Sequence, residues 1–202
     1  MPNKTAALTG GFPDAVFDSQ SIFKMLMDCM SRPGSRQTVG PDVAPPAPLN
    51  IATGAILLTL CDTDTPVWLS APLAKSVAAS WLAFHAGAPA TPEKAEARFA
   101  LIEQGSGLSS LALFSQGTQE YPDRSTTVLL EVGSLDDGRD MVLSGPGIRD
   151  SATIKVSGLP ETFQRSWAEN RAIFPRGVDV ILTCGRDFIC LPRTARIQMM
   201  EE

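Results

Sequence analysis

Val178-Asp179-Val180-Ile181-Leu182-Thr183-Cys184-Gly185-Arg186-Asp187-Phe188-Ile189-Cys190-Leu191 places two apolar runs on either side of Gly185-Arg186. That pattern predicts an apolar β-hairpin near the C-terminus. Working upstream, Pro160-Glu161 open a helix that carries Phe163, Trp167 and Asn170 on one stripe and ends with Arg171 at the negative end of the dipole. Before it, residues 127–132 and 140–144 read as two antiparallel strands joined by an Asp136-Asp137-Gly138 turn, and 153–156 as a further strand.

The N-terminal half has the helical period. Asp18-Ser19-Gln20-Ser21 offers caps for a helix with the stripe Ile22, Met25, Leu26 and Cys29, ending near Met30. Pro33 steers Arg32 into extended backbone just beyond that helix. Four prolines make residues 40–48 a surface connector. Residues 50–61 read as a buried helix, 67–69 as a short strand, and 73–84 as a second buried helix stopping at His85-Ala86-Gly87. Thr91-Pro92-Glu93 caps a short exposed helix, 99–102 is a strand, and 108–114 is a short helix closed by Gly117.

Helices and strands alternate without an internal repeat. The expected fold is therefore a single α/β domain over residues 1–202, a mixed sheet flanked by helices, with residues 1–11 and 197–202 as flexible tails. A chain of 202 residues and 21.5 kDa buries roughly 70% of its surface on folding. With 44% hydrophobic and 19% charged residues and a mean hydropathy of +0.04, disorder is excluded. A net charge of -5 argues against nucleic-acid binding. Met1-Pro2-Asn3-Lys4-Thr5 is followed by no apolar leader and no run approaches a membrane span, so a cytoplasmic protein without membrane contact is expected.

Cys29, Cys61, Cys184 and Cys190 form no CxxC pair, and His85 is the one histidine, which argues against thiolate and multi-histidine metal sites. The cysteines are expected to be reduced and mostly buried. In the hairpin, Cys184 and Cys190 point to opposite faces or are only diagonal neighbours, which disfavours a disulfide. Phosphate-loop, dinucleotide-fold, nucleophile-elbow and zinc-protease signatures are absent. Of the lysines at 4, 24, 75, 94 and 155, only Lys155 falls on a strand, and nothing marks a Schiff-base lysine with a carboxylate partner; no cofactor is expected.

The densest polar segment is Gly117-Thr118-Gln119-Glu120-Tyr121-Pro122-Asp123-Arg124-Ser125, with the chain's single tyrosine. Arg124 at a strand entrance suits bidentate phosphate binding; in the alternative, Asp123 makes an Asx-turn and Arg124 caps carbonyls. Leu143-Ser144-Gly145-Pro146-Gly147-Ile148 fits either an anion nest or a tight turn. Asn170 is a satisfied core amide or a ligand contact. His85 is a helix-terminal group or an acid/base. Arg32 and Arg193, each beside a proline, are surface ion-pair residues unless other groups converge on them.

Met30-Ser31-Arg32-Pro33-Gly34, Thr65-Pro66-Val67-Trp68-Leu69, Phe84-His85-Ala86-Gly87, the 117–125 segment, 143–148, Trp167 with Asn170, Phe174-Pro175-Arg176-Gly177-Val178-Asp179 and Leu191-Pro192-Arg193-Thr194 together resemble the PhnH family, from about Phe12 to about Arg196. Ala86 and Ala195 stand where that pattern commonly has Thr, so a hydroxyl role at those positions is not carried over.

The resemblance implies phosphonate catabolism. PhnH-like chains are subunits of the carbon–phosphorus lyase core complex, whose G, H, I and J subunits join an alkylphosphonate to the ribose C1 of ATP with release of adenine. It further implies a fold similar to the large domain of pyridoxal phosphate-dependent transferases without the cofactor site. Docking to the J subunit and a homodimer in isolation follow in the same way, and the apolar C-terminal hairpin with its neighbouring sheet is the expected edge for pairing. The expected role is an accessory subunit with no catalytic residue of its own, with Arg32, His85, Tyr121, Asp123, Arg124 and Asn170 as candidate residues for a nucleotide triphosphate or a partner. The rival readings are a free-standing nucleotide or phosphosugar transferase using a carboxylate pair such as Asp64 and Asp123, and a purely structural scaffold.

Overall fold

The computed structural model describes residues 4–199. The chain folds as α/β with two sheets. The first element after a short 3-10 turn is helix α1 (Ala15–Ser31), followed by strand β1 (Arg36–Thr38), helix α2 (Ile51–Leu60), strand β2 (Val67–Leu69), helices α3 (Ala71–Ala74) and α4 (Ala78–Ala86), and strands β3 (Phe99–Ile102) and β4 (Thr127–Glu131). Strands β5 (Ser134–Ser144) and β6 (Ala152–Ser157), helix α5 (Phe163–Ala172), and strands β7 (Asp179–Cys184), β8 (Asp187–Leu191) and β9 (Arg196–Met199) complete it. The larger sheet has the order β1-β8-β7-β4-β3-β2, and the smaller has the order β6-β5-β9.

Strands β2, β3, β4 and β7 run parallel, and the predicted hairpin β7–β8 is present with Cys184 opposite Asp187. Alternation along these strands divides the core. Val67, Leu69, Leu101, Leu129 and Ile181 face α1, α2 and α4, while Ala100, Ile102, Val128, Leu130, Val180 and Leu182 face α5 and the smaller sheet. Cys190 belongs to the first core and Cys184 packs against the second, so the two thiols lie on opposite faces as the hairpin spacing requires.

Several elements differ from the sequence reading. Residues 127–132 and 140–144 are not a hairpin: β4 lies between β3 and β7, and β5 joins the other sheet. Asp136-Asp137-Gly138 lies inside β5, where Ser134 Oγ accepts the Asp136 and Asp137 N–H groups and the register shifts against β6. The helix over 73–84 is broken at 75–77, where Ser76 Oγ accepts the Ala78 N–H and starts α4 afresh. The short helices after Thr91 and at 108–114 are only 3-10 turns, Lys94–Glu96 and Leu111–Leu113. Helix α1 starts before Asp18 because Asp14 accepts the Phe17 N–H.

The described residues reach into both of the expected tails. Residues 196–199 are strand β9 on β5, and Thr9 O accepts the Trp81 indole N–H at 2.9 Å; residues 1–3 and 200–202 lie outside the described residues. Both hairpin strands are paired on their outer sides, β8 with β1 and β7 with β4, so the edges of the larger sheet are β1 and β2. The two sheets are tied by Arg36, which donates to Asp136 on β5 and Asp187 on β8.

Helix α2 is buried from Ala52 to Leu57 and is capped by Asn50, whose Oδ1 accepts the Thr53 N–H at 2.8 Å. Its glycine has a reason in packing. The proline-rich connector crosses α2 at Gly54, where a Cβ would lie 2.6 Å from Pro45 Cγ. Gly54→Ala should therefore lower the urea midpoint, at a cost of about 1–3 kcal/mol for overpacking; an unchanged midpoint would show that the connector is free to move away.

Candidate functional site

The polar 117–125 segment forms a tight loop at the entrance to β4. Thr118 and Tyr121 close it: Thr118 N–H donates to Tyr121 O at 3.1 Å, and Thr118 Oγ1 accepts the Tyr121 N–H at 3.0 Å. Gly117 makes this possible, with φ +67 and the Pro122 backbone 2.8 Å from where its Cβ would stand. The turn expected from Asp123 is thus made by Thr118, and Asp123 remains exposed. Among the described residues, the Arg124 side chain caps no carbonyl. Its guanidinium stacks over the exposed Tyr121 ring, 4.1 Å from the centroid.

The loop is braced from below by Arg193. Its Nε and Nη2 donate to the two oxygens of Asp179 at 3.1 and 2.5 Å, Nη1 to Pro122 O at 2.7 Å, and Nη2 also to Ser125 Oγ at 2.6 Å. Its backbone N–H donates to Asp179 Oδ1 at 2.7 Å. The Arg193 side chain is 13% exposed, so the expectation of a surface ion pair is corrected: this is a largely buried bidentate clamp. Its signal lies in the hairpin register. Val180 pairs with Leu191, which leaves Asp179 and Arg193 as opposite charges at the open end.

Asn170 supports the same region as a core amide. Its Nδ2 donates to Val178 O at 3.0 Å and its Oδ1 accepts the Val178 N–H at 2.8 Å, fixing the end of α5 to the start of β7. The adjacent Gly177 N–H donates to Gln116 O at 2.9 Å, joining this support to the loop.

The remaining candidates lie elsewhere. Arg32 is 64% exposed and 3.6 Å from Asp28. His85 Nε2 is 3.3 Å from Thr9 O, with its ring against Trp81 and Phe84 at the end of α4. Among the described residues, no hydrogen bond, ion pair or ring contact joins Arg32, His85 and the 121–124 segment. Asp64 sits in an exposed turn on Asp62 and has no contact with Asp123 there. The 143–148 segment is a packed turn: Ile148 N–H donates to Gly145 O, and Gly147 lies against Ser31 O.

A second polar cluster had no signal in the sequence. At the opposite ends of the parallel strands, Glu103, Glu131 and Thr183 follow one another across β3, β4 and β7 beyond the apolar row Leu101, Leu129 and Ile181. Glu131 Oε1 accepts the Asn50 N–H at 2.9 Å, and Thr183 Oγ1 meets Asn50 Nδ2 and Thr53 Oγ1 at 3.1 and 2.8 Å. Glu103 is held by Ser70 and by Ser106 at 2.5 Å. Burial pushes the Glu131 carboxyl up, the Asn50 N–H and Thr53 oppose this, and the Glu103 charge adds to it.

The comparisons with known proteins bear on the whole chain. A family model described as bacterial phosphonate metabolism protein (PhnH) matches residues 10–198. The chain belongs to the PhnH family. A relative from Rhizobium meliloti (strain 1021), named alpha-D-ribose 1-methylphosphonate 5-triphosphate synthase subunit PhnH, is 50% identical over 198 residues, covering 98% of this chain and 99% of its own. A putative C-P lyase subunit protein HtxG from Stutzerimonas stutzeri is 32% identical over 181 residues, covering 89% and 86%. The PhnH match thus takes in the 117–125 loop, the Arg193 clamp and all of the larger sheet.

Two outcomes follow from this geometry. Arg193→Ala strands Asp179 and Ser125, so it should cost about 3–5 kcal/mol in denaturant unfolding and speed proteolysis within 117–124; a midpoint within error of the native chain would contradict the clamp. Because the folded Glu131 titrates above its ordinary value of 4.5, the stability that its protonation contributes is present below that value and is lost as pH rises through the folded one. Glu131→Gln keeps the acceptor for Asn50 without the charge. It should raise the melting temperature at pH 8 by about 2–4 °C, with the gain shrinking toward pH 4; a loss at every pH would overturn the assignment.

Proposed function

We propose that this chain is an accessory subunit of the carbon–phosphorus lyase core complex, the assembly that couples an alkylphosphonate to the ribose C1 of ATP and releases adenine. The observation that carries the reading is the 50% identity, over nearly the full length of both chains, to a named subunit of that synthase. Its partners are then the G, I and J subunits, in the cytoplasm, with a homodimer as the form taken in isolation. The absence of a helix long and apolar enough to cross a membrane among the described residues supports that setting.

Within the assembly, the 117–125 loop is the part that meets nucleotide triphosphate. Arg124 supplies a guanidinium for phosphate oxygens, Tyr121 a ring face, and Asp123 an exposed carboxylate, all on a loop that Arg193 holds in place. Arg32, His85 and Asn170 belong to the supporting structure in this reading, given their contacts with Asp28, Trp81 and Val178. The chain does no chemistry alone. Its fold is that of the large domain of pyridoxal phosphate-dependent transferases with the cofactor lysine gone; Lys155, the strand lysine, is exposed on the smaller sheet 3.8 Å from Asp140.

The test is a reconstituted complex carrying Arg124→Ala. ATP should bind at least about tenfold more weakly, as befits loss of a charge-assisted phosphate contact, with assembly intact by gel filtration. Unchanged ATP binding in an intact assembly would remove the loop from the nucleotide site, and turnover by the purified chain alone would remove the accessory role.

A further inference from the structure

Strand β5 carries the one Asp-Gly pair of the sequence, Asp137-Gly138, and no Asn precedes a glycine. The pair lies in the irregular part of the strand. Ser134 stands opposite Ser157 and Arg139 opposite the preceding residue, Val156, so residues 135–138 have no register partner on β6. On the other side of β5, β9 pairs with residues 141–144. Ser134 Oγ accepts the Asp136 and Asp137 N–H groups at 3.0 and 3.2 Å, and Asp136, Asp137 and Gly138 are all exposed. The Gly138 N–H donates to Oδ1 of the residue just before it, Asp137, at 2.8 Å. The Gly138 nitrogen thus stands beside the Asp137 carboxyl carbon, which is one bond beyond that oxygen.

We propose that Asp137-Gly138 is an isoaspartate-forming site, modified without an enzyme and then recognised by an isoaspartyl carboxyl methyltransferase. The Gly138 nitrogen loses its proton and bonds to Asp137 Cγ, and a carboxylate oxygen leaves as water with that proton and one from solvent. The product is a five-membered succinimide. One water then opens the ring. Attack at the side-chain carbonyl restores aspartate, whereas attack at the main-chain carbonyl leaves the chain running through Cβ and Cγ, with a free α-carboxylate. The water lost is regained, nothing is oxidised or reduced, and the mass of the chain is unchanged.

Glycine at 138 serves the fold and exposes the nitrogen at once. Its φ is +112, and a Cβ there would run into the Val156 carbonyl, so the bulge admits no side chain. A side chain would also shield the attacking nitrogen, and the residue that the fold requires leaves it open. Other aspartates lack this: Asp62 and Asp64 precede threonines, Asp123 precedes Arg124, and Asp150 precedes Ser151. The site has a structural consequence because Asp136, directly before it, is the β5 partner of Arg36, whose other partner, Asp187, lies with it in the larger sheet. One extra main-chain carbon at 137 displaces Asp136 against Ser134. Isomerisation therefore loosens the tie between the sheets and leaves the Arg36–Asp187 pair in place.

Ageing of the purified full chain, followed by an isoaspartyl carboxyl methyltransferase with labelled S-adenosylmethionine, tests this. Methyl acceptor should accumulate in the native chain at a rate within about tenfold of that in urea, because residues 135–138 already lie outside the ladder. Peptide mapping should resolve two forms of equal mass for the segment containing Asp137, with the extra methylene placed at 137 by backbone fragmentation. Asp137→Glu, whose ring would need six members, should take up no label there, and Asp137→Asn, which loses ammonia through the same succinimide, should form isoaspartate faster than the native chain. Hydrogen exchange of the amides at 134–140 should be faster in the aged, isoaspartyl form. Label that appears in urea but not in the native chain would overturn the proposal, as would label that persists in Asp137→Glu or maps to Asp150. Equal exchange in the aged and fresh chains would overturn the loosening of the sheet tie.

Discussion

The central strands β3, β4 and β7 are covered on both faces, and this fixes where polar groups can stand. A strand with helices on one side and a second sheet on the other has no solvent face, so an unpaired polar side chain along it would be stranded. The buried residues obey this: Leu101, Leu129 and Ile181 fill one core, and Ala100, Ile102, Val128, Leu130, Val180 and Leu182 fill the other. Polar residues are displaced to the strand ends. One end carries Glu103, Glu131 and Thr183 with the cap of α2, the other Asp179, Ser125 and Arg193.

The two ends differ in what they leave free. At the Glu131 end, the Asn50 N–H and the hydroxyls of Ser70 and Ser106 are spent on the carboxylates, Asn50 Nδ2 donates to Thr183 Oγ1, and Thr53 lies against both Thr183 and Glu131, so the cluster closes the end of the core. At the Asp179 end, the arginine that makes four side-chain hydrogen bonds is Arg193, and the arginine it supports, Arg124, sits outside the clamp with its guanidinium on an exposed ring. Binding favours a rigid loop carrying an accessible cation, because little ordering remains to be done when a ligand arrives. Catalysis needs acid, base and nucleophile brought within contact of one another. His85, Arg32 and Asp123 each lie among different neighbours, so these three residues do not share one site.

Much of this architecture was legible, and the misreadings share a cause. The β7–β8 hairpin, α2, β2, β3 and α5 are fixed by local pattern and turn chemistry. Neighbours in sequence usually pair, which favours β4 with residues 140–144, although the run Val128-Leu129-Leu130 is apolar at both parities, as a doubly covered strand must be. The start of α1 is hidden from the periodicity because Val16 and Phe17 do not continue the buried stripe from Ile22. Asn170 was readable from its stripe. Arg193 was visible as a residue but not as a clamp until the hairpin register set it diagonal to Asp179. Glu131 gave no signal, since its partners Asn50 and Thr53 are some 80 residues away and only the folded sheet brings them near.

Helix α1 divides its two faces in the same way, with Val16, Phe17, Phe23 and Met27 exposed on the outer one. The helix does not need that face in order to form: Asp14 caps it, Ile22 and Leu26 anchor its inner face, and Cys29 is locked to the sheet by the Cys190 N–H at 3.0 Å. None of those inner contacts involves Val16, Phe23 or Met27. Stability is secured on the inner face, and the side chains of the outer face are not required for the fold.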